Sequence, residues 1–519
     1  MNKGAQSKGA QDVEEIRERT AVYQPRIAVA LASRALAAAT ALAMLGTNAI
    51  PAAEGRDAAL PATTAGRLLG EWLQLCDAPN SEQMRMWLAQ NLSEQALQRV
   101  PAADRAQSEV ETCARNGGFR IARITHSEPN DLSLQLVGLA SDVWFEKRLE
   151  LNAAGKVDHT SQTPTAPFES AQPKDLSDAA ITQDVQRTVA VLSRQGLFSG
   201  IVTVARGSKV IVSASAGDAN RTSHAAITEN TQFTLGSIGK MFTATAIGQL
   251  VDQHRLSFQD TVGKFFPEYP NKTVHDKVTV GMLLCHTAGL GDFLDKRTPE
   301  MMQNGVTRAS DFMPLYDQDE PRFDPGTQWS YSNAGLALAG AIVEKVSGED
   351  YPNYIRRHVF TVAGMTHSDP NNVPHQSNQM ATPYTRMTAA GRSTDWLEAP
   401  RDIGSPAGGA LSSADDLIRF ADALRGGRLL SRNTLAEMTR THGPFPVGYK
   451  YGYALEIEEV YGRTLVGHSG GFPGVSTHLY MLLDSPYTIV VLSNQDPPAD
   501  EYAGSQIAAL IAEKAKRGM

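Results

Sequence analysis

The 519-residue chain contains three cysteines, Cys76, Cys113 and Cys285, too few to build a disulfide framework. Cys76 and Cys113 fall in one predicted domain: in an exported protein they are candidates to pair, and otherwise both are free and buried. Cys285 is left over as a buried thiol. The chain has no long run of Lys or Arg, and its net charge of -8 is spread over residues of both signs. That excludes the basic footprint of a nucleic-acid partner. No apolar run is long enough to span a bilayer comfortably. The one at residues 35–45 follows Arg26 and Arg34 and leads into small residues up to Ala53. This order reads as a secretory signal within residues 1–53, cleaved near Ala49 or Ala53, and predicts a periplasmic or secreted protein. The alternative is an uncleaved N-terminal anchor giving transient membrane association.

What is present is length and apolar content enough for more than one domain. Residues 64–160 open with helical patterns around Leu68–Leu73 and Met84–Leu88, then alternate apolar and polar at Phe119–Ile124, Leu132–Val137 and Trp144–Leu151. Helices followed by an antiparallel sheet make a small accessory α+β domain, ordered like nuclear-transport-factor-2-like domains and suited to homodimerisation. Residues 161–178, rich in Ser, Thr, Gln and Pro, form a linker. In residues 179–519, a predicted hairpin turns at Gly207-Ser208, residues 255–425 are rich in loops and helices, and strands return at 451–457, 464–468, 478–483 and 488–492 before a closing helix. The fold class predicted is α/β of the α+β sandwich type: a mostly antiparallel sheet flanked by helices, plus an all-helical lobe, with the site at their junction.

Chemistry enters at Ser237-Ile238-Gly239-Lys240, which runs into an apolar helical segment. Ser237 is then in a first helical turn, where N–H groups lack partners, and Lys240 shares its face. A buried amine at that spacing can take the hydroxyl proton. Ser237 is the one serine with lysine three residues on. Tyr331-Ser332-Asn333 follows a break at Pro325-Gly326 and opens another helix, presenting a phenol and an amide from one loop. Tyr269-Pro270-Asn271 and Tyr351-Pro352-Asn353 repeat the triplet without that lead-in. Gly467-His468-Ser469-Gly470-Gly471 ends a strand, its glycines allowing close approach of a ligand backbone, and the N–H of Gly471 can join that of Ser237 as an oxyanion hole. The same pentapeptide satisfies Gly-x-Ser-x-Gly, but no Asp or Glu lies between Ser469 and the one later histidine, His478, so a nucleophile elbow is excluded. Gly239-Lys240 lacks the upstream glycine of a phosphate loop.

Ser237-x-x-Lys240, Tyr331-x-Asn333 and His468-x-Gly470, in this order, resemble the serine β-lactamase and penicillin-binding-protein superfamily, in the branch holding class C β-lactamases, DD-peptidases, D-aminopeptidases and family VIII esterases. The segments 283–290 and 406–417 resemble that branch as well. The resemblance covers roughly 180–515 and implies an acyl-enzyme on Ser237, formed on an ester, D-amino-acid peptide or β-lactam carbonyl. Lys240 and Tyr331 would share the base duty, the phenol's pKa lowered by the cationic amine, and Tyr331 would later activate water. Asn333 would bind the acyl side, with His468, Ser469 and Gly470 at the polar or anionic end. It implies neither cofactor nor metal, and a small-molecule or peptide substrate. His468 stands where β-lactamases carry lysine, which favours an esterase or DD-peptidase. A penicillin-binding sensor that acylates once without turnover is the second reading. His286 reads as a structural hydrogen-bonding residue.

Overall fold

The structure, a computed structural model, describes residues 59–99, 101–141, 143–165, 177–298, 300–301, 307–371, 379–388, 391–399, 403–445, 450–460 and 462–517. The signal-like segment and most of the linker lie outside these residues. Two compact units divide the chain, one reaching to Lys174 and including Ala190–Leu197, the other formed by Asp175–Val189 and Phe198–Met519.

In the first unit, helices α1 (Thr64–Asp77), α2 (Ser81–Asn91), α3 (Glu94–Arg99) and α4 (Ala102–Asn116) precede a four-stranded antiparallel meander of β1 (Phe119–Glu128), β2 (Asp131–Gly138), β3 (Trp144–Leu151) and β4 (Val157–Pro164). Thr63 caps α1 by accepting the N–H of Gly66 at 3.1 Å. Along β3 the buried positions alternate with part-exposed ones, the period-2 pattern of a sheet with one covered face. Cys76 on α1 and Cys113 on α4 form a disulfide with their Cα atoms 4.8 Å apart. Cys285 is free and buried.

The second unit is built on a six-stranded antiparallel sheet. Its strands are β5 (Gly200–Arg206), β6 (Lys209–Ala216), β7 (Glu456–Val460), β8 (Arg463–Phe472), β9 (Val475–Leu482) and β10 (Tyr487–Ser493), in the order β7-β8-β9-β10-β5-β6. The hairpin between β5 and β6 turns at Gly207, whose φ of 61° suits glycine. Helix α5 (Gly239–Asp252) is apolar on nearly every side because it runs through the centre of the core, where Phe242 meets Phe360 and Phe420 edge-on at 4.9 Å each. Helix α6 (Asn333–Ser347) packs beside it. Helix α7 (Ala414–Arg425) lies against the sheet, as does the closing helix α8 (Ala499–Arg517).

The strand predicted at 451–457 begins only at Glu456. Tyr451-Gly452-Tyr453 alternates like a strand because both phenol rings are buried, but Ala454 adopts φ 54° and turns the chain. A hairpin, Tyr384–Thr388 with Gly391–Glu398, interrupts the region expected to hold loops and helices alone.

Candidate active site

Ser237 sits in a single 3-10 turn, Gly236–Ile238, that feeds α5. Gly236 takes φ 54°, and a Cβ there would come within 3.0 Å of the Gly471 nitrogen, so only glycine lets this turn lie directly on β8. Ser237 is partly exposed while Lys240, one turn on, is fully buried. Lys240 Nζ lies 3.0 Å from Ser237 Oγ, donates to Asn333 Oδ1 at 2.7 Å, and donates to the Ala407 carbonyl oxygen. Two carbonyl acceptors fix two of the amine's N–H bonds, so its third tetrahedral position faces the serine. In the neutral amine that position is the lone pair.

The Ala407 carbonyl is held by a turn pressed onto the Gly236-Ser237 backbone. Gly408, at φ 149°, has so little space that a Cβ would stand 2.7 Å from the Gly236 oxygen. Tyr351 of the repeated triplet supports the turn from beneath: its hydroxyl donates to Thr243 Oγ1 at 2.6 Å, and Thr243 donates to the Pro406 carbonyl at 2.6 Å. Asn271 of the other triplet caps a short helix by accepting the N–H of Val274.

Tyr331 places its ring 4.8 Å from Lys240 Nζ and its hydroxyl in hydrogen-bonding contact with Ser237. Its pKa corrects the sequence-based expectation of a lowered value. Burial pushes the phenol well above its ordinary range, the Glu456 and Asp292 carboxylates push the same way, and the bond to Ser237 offsets only part. The phenol therefore keeps its proton. Asn333 presents its amide oxygen to Lys240 and donates from Nδ2 to Asp292 Oδ2 at 2.6 Å. Asp292 in turn accepts the N–H groups of Phe293 and Leu294.

Strand β8 borders the nucleophile with its edge. Its pairing to β7 covers residues 463–467 and ends at Gly467 opposite Glu456. The N–H of Ser469 points to that side, donating to Glu456 Oε2 at 3.1 Å, so by the two-residue repeat of a strand the N–H of Gly471 leaves the same edge beside Gly236. A Cβ at Gly470 would strike the Leu235 carbonyl, so this glycine serves to seat the strand on the nucleophile's backbone rather than to admit a ligand. Ser469 also differs from expectation: its hydroxyl donates to Glu456 Oε1 at 2.8 Å. His468, expected at the substrate's polar or anionic end, is 1% exposed and has both ring nitrogens engaged.

Those engagements form a continuous hydrogen-bonded chain. The backbone N–H of Ser332 can only donate, and it reaches His286 Nδ1 at 3.1 Å. His286 Nε2–H then donates to the Tyr451 oxygen at 3.1 Å, and the Tyr451 hydroxyl group is hydrogen-bonded to His468 Nε2 at 2.8 Å. His468 Nδ1–H ends the chain on the Ser469 carbonyl at 2.6 Å. Accepting at Nδ1 fixes His286 as the Nε2–H tautomer, and His468 Nδ1 also lies 3.6 Å from Glu456 Oε1. Burial is the main cause that holds the His286 pKa well below its ordinary value, and the neighbouring Lys240 and His468 act in the same direction. His286 adopts φ 62°, a strained conformation for a ring-bearing residue, and lies flat enough against Tyr331 to bring the ring centroids to 4.3 Å.

Residues 178–513 match the family model described as Beta-lactamase. The chain belongs to this family. Among its relatives, a penicillin-binding protein 4 of Amycolatopsis lactamdurans is 30% identical over 301 residues, spanning 54% of this chain and 76% of the relative. The esterase EstB of Burkholderia gladioli is 28% identical over 308 residues, with 51% and 77% covered. A solved penicillin-binding protein from Bacillus halodurans superposes with a TM-score of 0.53 at 28% identity, over 66% of this chain and all of that one. These likenesses make the chain a member of a hydrolase family with the β-lactamase and penicillin-binding-protein fold, as the three boxes implied.

Within that family fold, the structure brings Ser237, Lys240, Tyr331, Asn333 and the Gly470-Gly471 edge together, and turns the Ser469 hydroxyl and the His468 ring to other partners. Sequence reasoning missed Asp292, Tyr451 and Glu456, which no motif marks. It noted the 406–417 segment but not that the Ala407 carbonyl holds the lysine.

Proposed function

We propose that this protein is a serine hydrolase that works through an acyl-enzyme on Ser237. The observation that carries the reading is the amine of Lys240, fixed by two carbonyls with its third position 3.0 Å from the serine hydroxyl. Lys240 takes the Ser237 proton as Oγ attacks the carbonyl carbon of an ester or amide. The N–H groups of Ser237 and Gly471 receive the developing oxyanion, each donor of this kind being worth roughly 3 kcal/mol of barrier. Tyr331, protonated at rest, gives its proton to the leaving group and is resupplied by the proton that Lys240 took. Water then attacks the acyl-enzyme, Lys240 accepting its proton, and the acid is released with Ser237 restored. Asn333 and Asp292 hold the amine in register and leave one amide N–H for the acyl portion.

Ser237→Ala is expected to abolish covalent labelling by a fluorophosphonate probe while the unfolding transition is retained. Labelling that persists unchanged would refute the assignment. We propose further that the protein is exported. The signal-like residues 1–53 and the Cys76–Cys113 disulfide support this.

A further inference from the structure

Three groups around the nucleophile decide which charge a substrate can carry, and all three are already committed. The donors that the β8 edge offers at Ser469, its N–H and its hydroxyl, both go to the carboxylate of Glu456, at 3.1 and 2.8 Å. Glu456 is itself 4% exposed and comes from the first residue of β7, where that strand stops and the free edge begins. His468, beside it, is 1% exposed and has its ring nitrogens on Tyr451, on the Ser469 carbonyl and near Glu456, so it offers nothing to an incoming anion. Lys240 is buried and its amine is taken up by Asn333, Ala407 and Ser237. Asp292, bonded to Asn333, adds a second carboxylate.

A protein carboxylate thus occupies the donors with which this edge could hold an anion. We infer that Glu456 is a specificity-determining residue that bars substrates whose carboxylate would lie along the β8 edge at Ser469, and that the enzyme takes carboxylate-free esters and amides there. An incoming carboxylate finds no donor at Ser469 and meets a like charge within the same hydrogen-bonding shell, and like-charge juxtaposition in a desolvated site is strongly unfavourable. His478 does not reverse this. His468 Nδ1 and the His478 ring lie 3.6 and 3.7 Å from Glu456, and the His478 ring lies 3.5 Å from Asp500, so these two buried imidazoles are already shared between two protein carboxylates and neither is turned to a substrate. The inference rests on the serine-hydrolase reading above and narrows its substrate class.

The test compares a matched pair with a common acetyl group, 3-acetoxybenzamide and 3-acetoxybenzoate, on the full chain. Glu456, Glu458 and His478 bring ligand atoms within 4.8 Å of one another, so the assays contain a chelator to keep a stray cation from masking the carboxylate. The amide-bearing compound is expected to show a kcat/KM at least about tenfold higher. In Glu456→Gln, which keeps an acceptor for Ser469 but removes the charge, the ratio is expected to fall to within about threefold of unity. Because Glu456 is buried, the wild-type ratio stands as an independent measurement should that variant not fold. A wild-type ratio near unity or favouring the benzoate overturns the inference, as does a folded Glu456→Gln enzyme that keeps the full wild-type ratio. Fluorophosphonate labelling of Ser237 in the same samples separates the two levels. Labelling with a reversed preference sinks the specificity alone, whereas absence of labelling and turnover sinks the hydrolase reading with it.

Discussion

Replacing Tyr451 with phenylalanine removes one oxygen and breaks two hydrogen bonds in the middle of the chain that runs from Ser332 to Ser469. The groups left behind are His286 Nε2–H and His468 Nε2, on rings that are 0% and 1% exposed. Water has little access to either, and a buried polar group stripped of its partner costs about 1–3 kcal/mol. The two together predict a loss of about 2–6 kcal/mol, a large share of a typical stability of about 5–15 kcal/mol. The consequence for chemistry is indirect. His286 packs on Tyr331, and His468 ends on the carbonyl of Ser469, two residues before the Gly471 N–H. Loosening either end shifts a catalytic group by a fraction of an ångström to about an ångström, for which a fall in kcat of roughly ten- to a hundredfold is expected with KM changed much less. Urea unfolding of the catalytic unit and steady-state turnover of a p-nitrophenyl ester measure the two effects. A variant within about 0.5 kcal/mol of wild type, with kcat intact, would refute the relay and the His286 tautomer read from it.

The same relay predicts a pH dependence. His286 has its folded-state pKa held well below the unfolded value of 6.5, so the unfolded chain binds a proton that the native state refuses. Its stabilising contribution is therefore full above pH 6.5 and declines as pH falls below it, by up to about 1.4 kcal/mol per unit until the folded pKa is reached. His286→Asn, which tolerates positive φ, is expected to flatten that acid limb in denaturation curves taken at successive pH values. Gly408→Ala tests the turn that holds Lys240. A Cβ 2.7 Å from the Gly236 oxygen forces the two backbones apart, and the fluorophosphonate labelling rate should drop by about a hundredfold. A labelling rate unchanged in that variant would show that the Ala407 carbonyl is not needed to aim the amine.

Much of this was legible in the chain itself. The spacing of Ser237 and Lys240 follows from helical geometry, which places residues three apart on one face whatever surrounds them. Strand alternation and the hairpin turn at Gly207 are local as well, and the observed sheet follows them closely. The strand misread at 451–457 shows the limit of local pattern: Tyr451 and Tyr453 are buried by the fold around them, and burial of alternate residues does not require an extended backbone.

The sequence by itself determined the family and the layered fold, because these depend on short-range periodicity and on a fixed order of motifs. Only the tertiary structure decided the charge states and the partners. Desolvation reverses the direction expected for the Tyr331 phenol, and the Ser332-to-Ser469 chain joins residues 137 positions apart, engaging both ring nitrogens of His468. Glu456 meets Ser469 because antiparallel register sets Glu456 opposite Gly467, two residues from Ser469 on the same side. Electrostatics and long-range register are properties of what is packed around a residue, and no local spacing encodes them.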